Sequence, residues 1–146
     1  MRINEDYIDN VKPDELVDDY SSLSMDVRQN VEWLLNDHHT NIDFNVVDRP
    51  IYKPKNKKEL FALIRVCIKK YGDDCNLNWI DVSGRHNFSG LFYVSSFNGD
   101  ISKWDVSDAI DMDKMFLSSK FNGNISRWDV SNVRNMYGMF CASEFD

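Results

Sequence analysis

Three carboxylates recur at one spacing in this sequence. Asp81, Asp105 and Asp129 stand 24 residues apart, and each is followed two residues later by a serine, Ser83, Ser107 and Ser131. Carboxylates gathered into a column could hold a cation or meet a basic partner. The same Asp-x-Ser spacing also lets a carboxylate accept backbone N–H bonds in a local turn, which is a purely structural use. At the sheet spacing of about 4.8 Å, neighbouring carboxylates repel by roughly 1 kcal/mol in watery surroundings, so either use must offset that repulsion. Their recurrence as part of a repeat signature favours the structural use.

The other polar clusters say less. Asp37, His38 and His39 suggest a metal site, but adjacent side chains on a helix point about 100° apart, and a solvated helix end explains them better. Cys67, Cys75 and Cys141 are odd in number and lack CxxC spacing. They read as three reduced, mostly buried thiols, with neither a metal site nor a disulfide framework. His86 falls in a column whose other members are Ile110 and Arg134, a local feature of the surface. Nothing matches GxSxG, HExxH, a P-loop or GxGxxG. No catalytic residue, cofactor or metal is therefore assigned, and the chain reads as non-enzymatic.

The elements that position these residues follow from hydrophobic spacing. Val27, Val31, Leu34 and Leu35 lie on one stripe of a helix predicted over 25–36, with Ser24 as N-cap. IDFNVV (42–47) and RPIYK (49–53) are short strand-like runs punctuated by Pro50 and Pro54. A second helix begins after Asn56, with Glu59 at capping-box spacing. Leu60, Leu63, Ile64, Cys67, Ile68 and Tyr71 form its apolar stripe, and Gly72 stops it. The lysines of KPKNKK at its mouth read as a solvated surface.

The rest of the chain is a repeat. FNGDISKWDVSDAIDMDKMF (97–116) is rewritten 24 residues later as FNGNISRWDVSNVRNMYGMF (121–140). With a more divergent copy ahead of them, three tiers align over 77–97, 101–121 and 125–145. Seven columns are apolar in all three: Leu77/Ile101/Ile125, Ile80/Trp104/Trp128, Val82/Val106/Val130, Phe88/Met112/Met136, Leu91/Met115/Met139, Phe92/Phe116/Phe140 and Phe97/Phe121/Phe145. One tier cannot close a core alone, so the tiers must stack. The W-x-V alternation predicts a strand with Trp104 and Val106 inward and Asp105 and Ser107 outward. Asn98, Gly99, Asn122 and Gly123 read as tight turns between tiers, with glycine supplying positive φ.

These repeats, with YKPKNKKELFALIRVCIKKYG and NLNWIDVS before them, resemble BspA-type leucine-rich repeat proteins over about residues 52–146. The resemblance implies a solenoid that binds other macromolecules and carries over no catalytic residue. The fold expected is an α/β repeat protein: an acidic α+β capping unit (1–72) on a short leucine-rich-repeat-like solenoid (73–146). Its binding face would be the outward residues Lys103, Asp105, Ser107, Arg127, Asp129 and Ser131.

Charge narrows the partner. The chain carries −7 overall, distributed as −8 over 1–50, +6 over 51–70 and −5 over 71–146. Phosphate backbones repel such a chain, so general nucleic-acid binding is not expected. No apolar run reaches the roughly 18–20 residues that span a bilayer, and the first residues lack the apolar stretch of a secretory signal. The expectation is a protein partner met in the cytoplasm, or at a surface if an upstream signal was removed. The last tier offers Trp128, Met136, Met139 and Phe140 to a missing neighbour, which suggests self-association through the C-terminal repeat.

Overall fold

Asn56 starts the one long helix among the described residues, and its geometry shows how. In the computed structural model, which describes Gln29 and residues 44–146, the Asn56 side chain accepts the Glu59 N–H at 2.9 Å and opens α1 (Lys57–Tyr71). Gly72, at φ 99°, ends it by donating its N–H to the Ile68 carbonyl. The capping box is only half made. The Glu59 carboxylate does not turn back to Asn56 but accepts the Tyr52 hydroxyl. The acidic arm 1–24, the helix over 25–36 apart from Gln29, which is helical, and the Asp37/His38/His39 cluster lie outside the described residues.

α1 buries more than its stripe. Leu60, Leu63, Ile64 and Cys67 are buried as the spacing requires, and so are Phe61, Ala62, Lys57 and Glu59. Lys57 corrects the expectation of a solvated basic run. Its Nζ donates to Ser89 Oγ at 2.8 Å and Asn87 Oδ1 at 3.3 Å in the first tier. A buried ammonium is tolerable only with such acceptors. Lys53, exposed, reaches the Ser83 carbonyl at 2.7 Å. Two lysines of KPKNKK thus fasten the helix entry to the tiers.

The strand-like runs before α1 contribute little pairing. Phe44–Val46 is a single 3₁₀ turn, and 49–53 makes one parallel bridge, Tyr52 to Ile80. Pro50 and Pro54 flank that bridge, and neither has an N–H to extend it.

Beyond Gly72 the backbone bonds to its own copy 24 residues on. Parallel bridges join Asn76 to Asp100, Asn87 to Asp111 and Asp111 to Asn135. Between them runs a regular row. The N–H groups of Phe88, Gly90, Phe92 and Val94 donate to the carbonyls of Asp111, Asp113, Met115 and Leu117 at 2.8–2.9 Å. Those of Met112, Lys114, Phe116 and Ser118 donate likewise to Asn135, Tyr137, Met139 and Cys141. The alternate N–H groups close turns within the tier, as Met115 to Met112 and Leu117 to Lys114.

That alternation needs left-handed backbone at two columns, Gly90/Lys114/Gly138 and Val94/Ser118/Ala142, with φ between 51° and 63°. The inter-tier ladder therefore follows the M-x-x-M-F half of each repeat. The W-x-V segment is not a strand in any tier, although its side chains alternate as expected: Trp104 and Val106 are buried, Asp105 exposed. Gly99 and Gly123 are not at positive φ. A Cβ on Gly99 would lie 1.9 Å from the Cys75 carbonyl oxygen, so glycine is required there by the close approach of the preceding turn.

Ring stacks fill the interior. Phe92, Phe116 and Phe140 lie in a column with centroids 5.4 Å apart and planes 3° from parallel. Phe97, Phe121 and Phe145 form a second column at 6.0 and 6.1 Å. The columns touch in every tier, at 4.8, 4.6 and 4.4 Å. These separations suit offset stacking. One hydrophobic cluster runs from Phe44 through α1 to Met139.

Candidate interaction surface

Each corner of a tier is held by a short polar side chain, and these corners set which residues face outward. At the first corner the carboxylates of Asp81, Asp105 and Asp129 accept the N–H of Ser83, Ser107 and Ser131 at 2.9–3.0 Å. Ser83 and Ser107 add hydroxyl donors at 2.6 Å. These are the Asx turns that Asp-x-Ser allows.

The remaining corners repeat the device. Asn76, Asp100 and Asn124 accept from the residue two positions on, as do Asn87, Asp111 and Asn135. At another corner the hydroxyls of Ser95, Ser119 and Ser143 accept the N–H of Phe97, Phe121 and Phe145. Only the first of these corners is evident from sequence reasoning. Two of the others carry the same polar-x-donor signal, hidden because Asn and Asp alternate within a column; the serine corner has no carboxylate or amide to mark it.

The turn also settles the electrostatics of the column. Hydrogen bonds from the Ser107 hydroxyl and N–H hold the Asp105 carboxyl below its ordinary value, against an opposing push from the like charge of Asp129. Asp129 is lowered in the same way by Ser131. At Asp105 the donors of its own turn therefore outweigh the like charge of the next tier. Among the described residues no group of His, Cys, Asp and Glu is placed to hold a metal ion.

The six residues expected to form a binding face fall into two registers of one surface. Lys103, Asp105, Arg127, Asp129 and Ser131 are exposed, and Ser107 is half-buried. They are not equally available. Lys103 pairs with Asp48, and its backbone N–H is held by Asn78 Oδ1. The Ser107 carbonyl accepts the Asn132 side chain at 2.8 Å. Arg127 has no polar partner among the described residues and is the freest cation of the set.

Other sequence candidates take structural roles. The ring of His86 lies 2.9 Å from the Asp108 carbonyl, tying the first two tiers together. All three cysteines are free. Burial pushes the Cys67 thiol up, and the Cys75 thiol up to about 12. Cys141, however, is exposed. Among the described residues no helix is long and apolar enough to cross a membrane.

Two inter-tier contacts could not be read from spacing. The Trp104 indole donates to the Leu77 carbonyl at 2.8 Å, and Trp128 repeats the bond to Ile101 at 3.1 Å. The Asn98 side chain accepts the Asn122 N–H, and Asn122 in turn accepts that of Asp146. Both explain why these residue types recur where any apolar or turn residue would have satisfied the pattern.

No curated protein matches this chain, and no solved structure does. A family profile does match, over residues 65–146, which is more than half the sequence and takes in the end of α1 and all three tiers. The chain belongs to the family described as Mycoplasma protein of unknown function, DUF285.

Proposed function

We propose that this chain is a non-enzymatic protein-binding module, in which a short leucine-rich-repeat-like solenoid of BspA-related kind presents its outward columns to another macromolecule. One observation carries the reading. Lys103, Asp105 and Ser107 recur in register as Arg127, Asp129 and Ser131, outside a core that takes up the inward columns. Such a surface offers alternating cations and carboxylates on a rigid backing, which is suited to a partner with complementary charges. Arg127 is the residue best placed to form a two-pronged bond with a partner carboxylate. Recognition at a cell surface or directed at a host is the setting that the repeat resemblance supports.

A second reading keeps the binding role and changes the target. A net charge of −7 supports an intracellular acidic interaction or inhibitor protein, of the sort a mobile element or phage encodes, acting on a basic nucleic-acid-handling protein. One experiment addresses both. The wild-type chain, R127A and the double variant D105N/D129N are immobilised, and the retained proteins are compared across a salt series. A partner lost with R127A supports the first reading. A basic partner lost with D105N/D129N and with rising salt supports the second. Identical retention by all three chains would contradict both.

A further inference from the structure

The surroundings of Lys57 hold more chemistry than a fastening needs. The side chain is fully buried, and its Nζ donates to Asn87 Oδ1 at 3.3 Å and to Ser89 Oγ at 2.8 Å. The same Asn87 oxygen accepts the Ser89 N–H at 2.8 Å. Two donors therefore converge on one carboxamide oxygen, which draws electron density from the amide carbon one bond further on. One of those donors is itself an amine, a nucleophile held against the carbon it would attack. Asn87 is singular in its column. Asp111 and Asn135 make the same turn in the second and third tiers, but among the described residues only Asn87 meets a lysine.

We infer that Lys57 and Asn87 form a cross-linking site, at which the two side chains become joined by an isopeptide bond. Nζ bonds to Cγ of Asn87, the Cγ–Nδ2 bond breaks, and the amide nitrogen leaves. Starting from the ammonium form, two protons pass from Nζ to the departing nitrogen, so the products are a secondary amide and an ammonium ion. Nothing is oxidised or reduced, and no co-reactant is needed. Ser89 provides the route for the protons. Its hydroxyl accepts from Nζ and can hand its own hydrogen to the amide nitrogen. Burial helps twice. Desolvation favours the uncharged amine, which is the nucleophile, and a site without bulk water limits competing hydrolysis. Packing holds both groups together, a proximity that a dissolved amine and amide lack. The product closes a covalent loop between residues 30 positions apart and locks the entry of α1 to the first tier. Like any such cross-link, it restricts the unfolded chain. The reaction is independent of the outward columns and of what they bind.

The test is the intact mass of the full chain, measured in denaturant after purification and again after incubation at neutral pH and physiological temperature. A mass about 17 Da below that of the sequence is expected, the loss of one ammonia. Tryptic digestion should leave the chain uncut after Lys57, and tandem mass spectrometry should find a branched peptide joining residues 57 and 87. Asn98–Gly99 and Asn122–Gly123 can lose the same mass by succinimide closure, and K57R separates the cases. Arginine keeps the charge without offering an amine to acylate, so K57R should stay at its full mass, as should N87A. Full mass in the incubated wild-type chain overturns the proposal. A loss of that size that persists in K57R, or that maps to Asn98 or Asn122, overturns it as well. Should a variant fail to fold, the wild-type digest decides alone: the branched peptide upholds the cross-link, and its absence overturns it.

Discussion

The second and third tiers carry nearly the same residues in the same order, yet they are not in the same condition. Met112 is fully buried whereas Met136 is 44% exposed, and Val106 at 1% corresponds to Val130 at 36%. Within its column Phe116 has a ring from the tier on either side, and Phe140 from one side, each also stacking on the phenylalanine of its own tier. Sequence alone does not distinguish these residues; position in the stack does. A column residue acquires its energetic weight from the tier that follows it, so identical side chains should differ in what they contribute. That is nearest-neighbour behaviour, in which an internal unit has two interfaces and a terminal unit one.

The largest expected effect contrasts the two phenylalanines. Phe116→Ala opens a cavity between two stacked rings and should cost about 3–5 kcal/mol, whereas Phe140→Ala should cost about half as much. Urea denaturation of both variants checks the ratio. Equal losses would mean that the outer face of Phe140 is covered after all. The paired tryptophans sharpen the point. Trp104→Phe removes the indole donor from the Leu77 carbonyl, which keeps the Ile80 N–H, and should cost about 0.5–1.5 kcal/mol. Trp128→Phe, nearer the open end, should cost less by the same measurement.

Some of this was legible before the fold and some was not. The period of 24, the seven apolar columns, the Asn56 cap and the Gly72 stop all follow from spacing, because burial is periodic and caps have narrow chemistry. The direction of the backbone bonds does not follow. W-x-V alternates as a strand would, yet the ladder runs through M-x-x-M-F, where left-handed residues break the strand pattern. Gly90 and Gly138 hinted at this, but Lys114 stands between them in the same column and hid the requirement. Lys57 was missed because its acceptors, Asn87 and Ser89, lie 30 and 32 residues away. Of the candidate face, the Asp-x-Ser turns were readable; the pairing of Lys103 with Asp48, which leaves Arg127 as the freer cation, was not.

Lys114 supplies the third prediction, a gain. At φ 55° it holds a conformation that its counterparts Gly90 and Gly138 adopt without a Cβ. Lys114→Gly should therefore raise stability by about 0.5–1 kcal/mol, after the entropy that glycine forfeits on folding. Gly138→Lys should lower it, and differential scanning calorimetry on the two would read opposite shifts in Tm.

The smallest effect is titration of the outward column. Asp105 and Asp129 have carboxyls lowered from 3.8 by their serine turns. A group lowered on folding contributes its stability above the unfolded value and loses it as the pH falls through the folded one. Wild-type stability should thus decline below about pH 3.8, and D105N/D129N should show a shallower decline over that acid range. Both groups are exposed, so the difference should be slight. Parallel acid-unfolding curves would argue that these turns do not discriminate between folded and unfolded chains.

The most direct measurement of the stacked register is native-state amide exchange on dilute chain, resolved by residue. Phe88, Gly90, Phe92 and Val94, with Met112, Lys114, Phe116 and Ser118, should exchange slowly, because each donates to the tier 24 residues on. Met136, Gly138, Phe140 and Ala142 should exchange rapidly under the same conditions. Slow exchange at all twelve, or rapid exchange at Phe92 and Phe116, would contradict a stack that is closed between tiers and open at its last face.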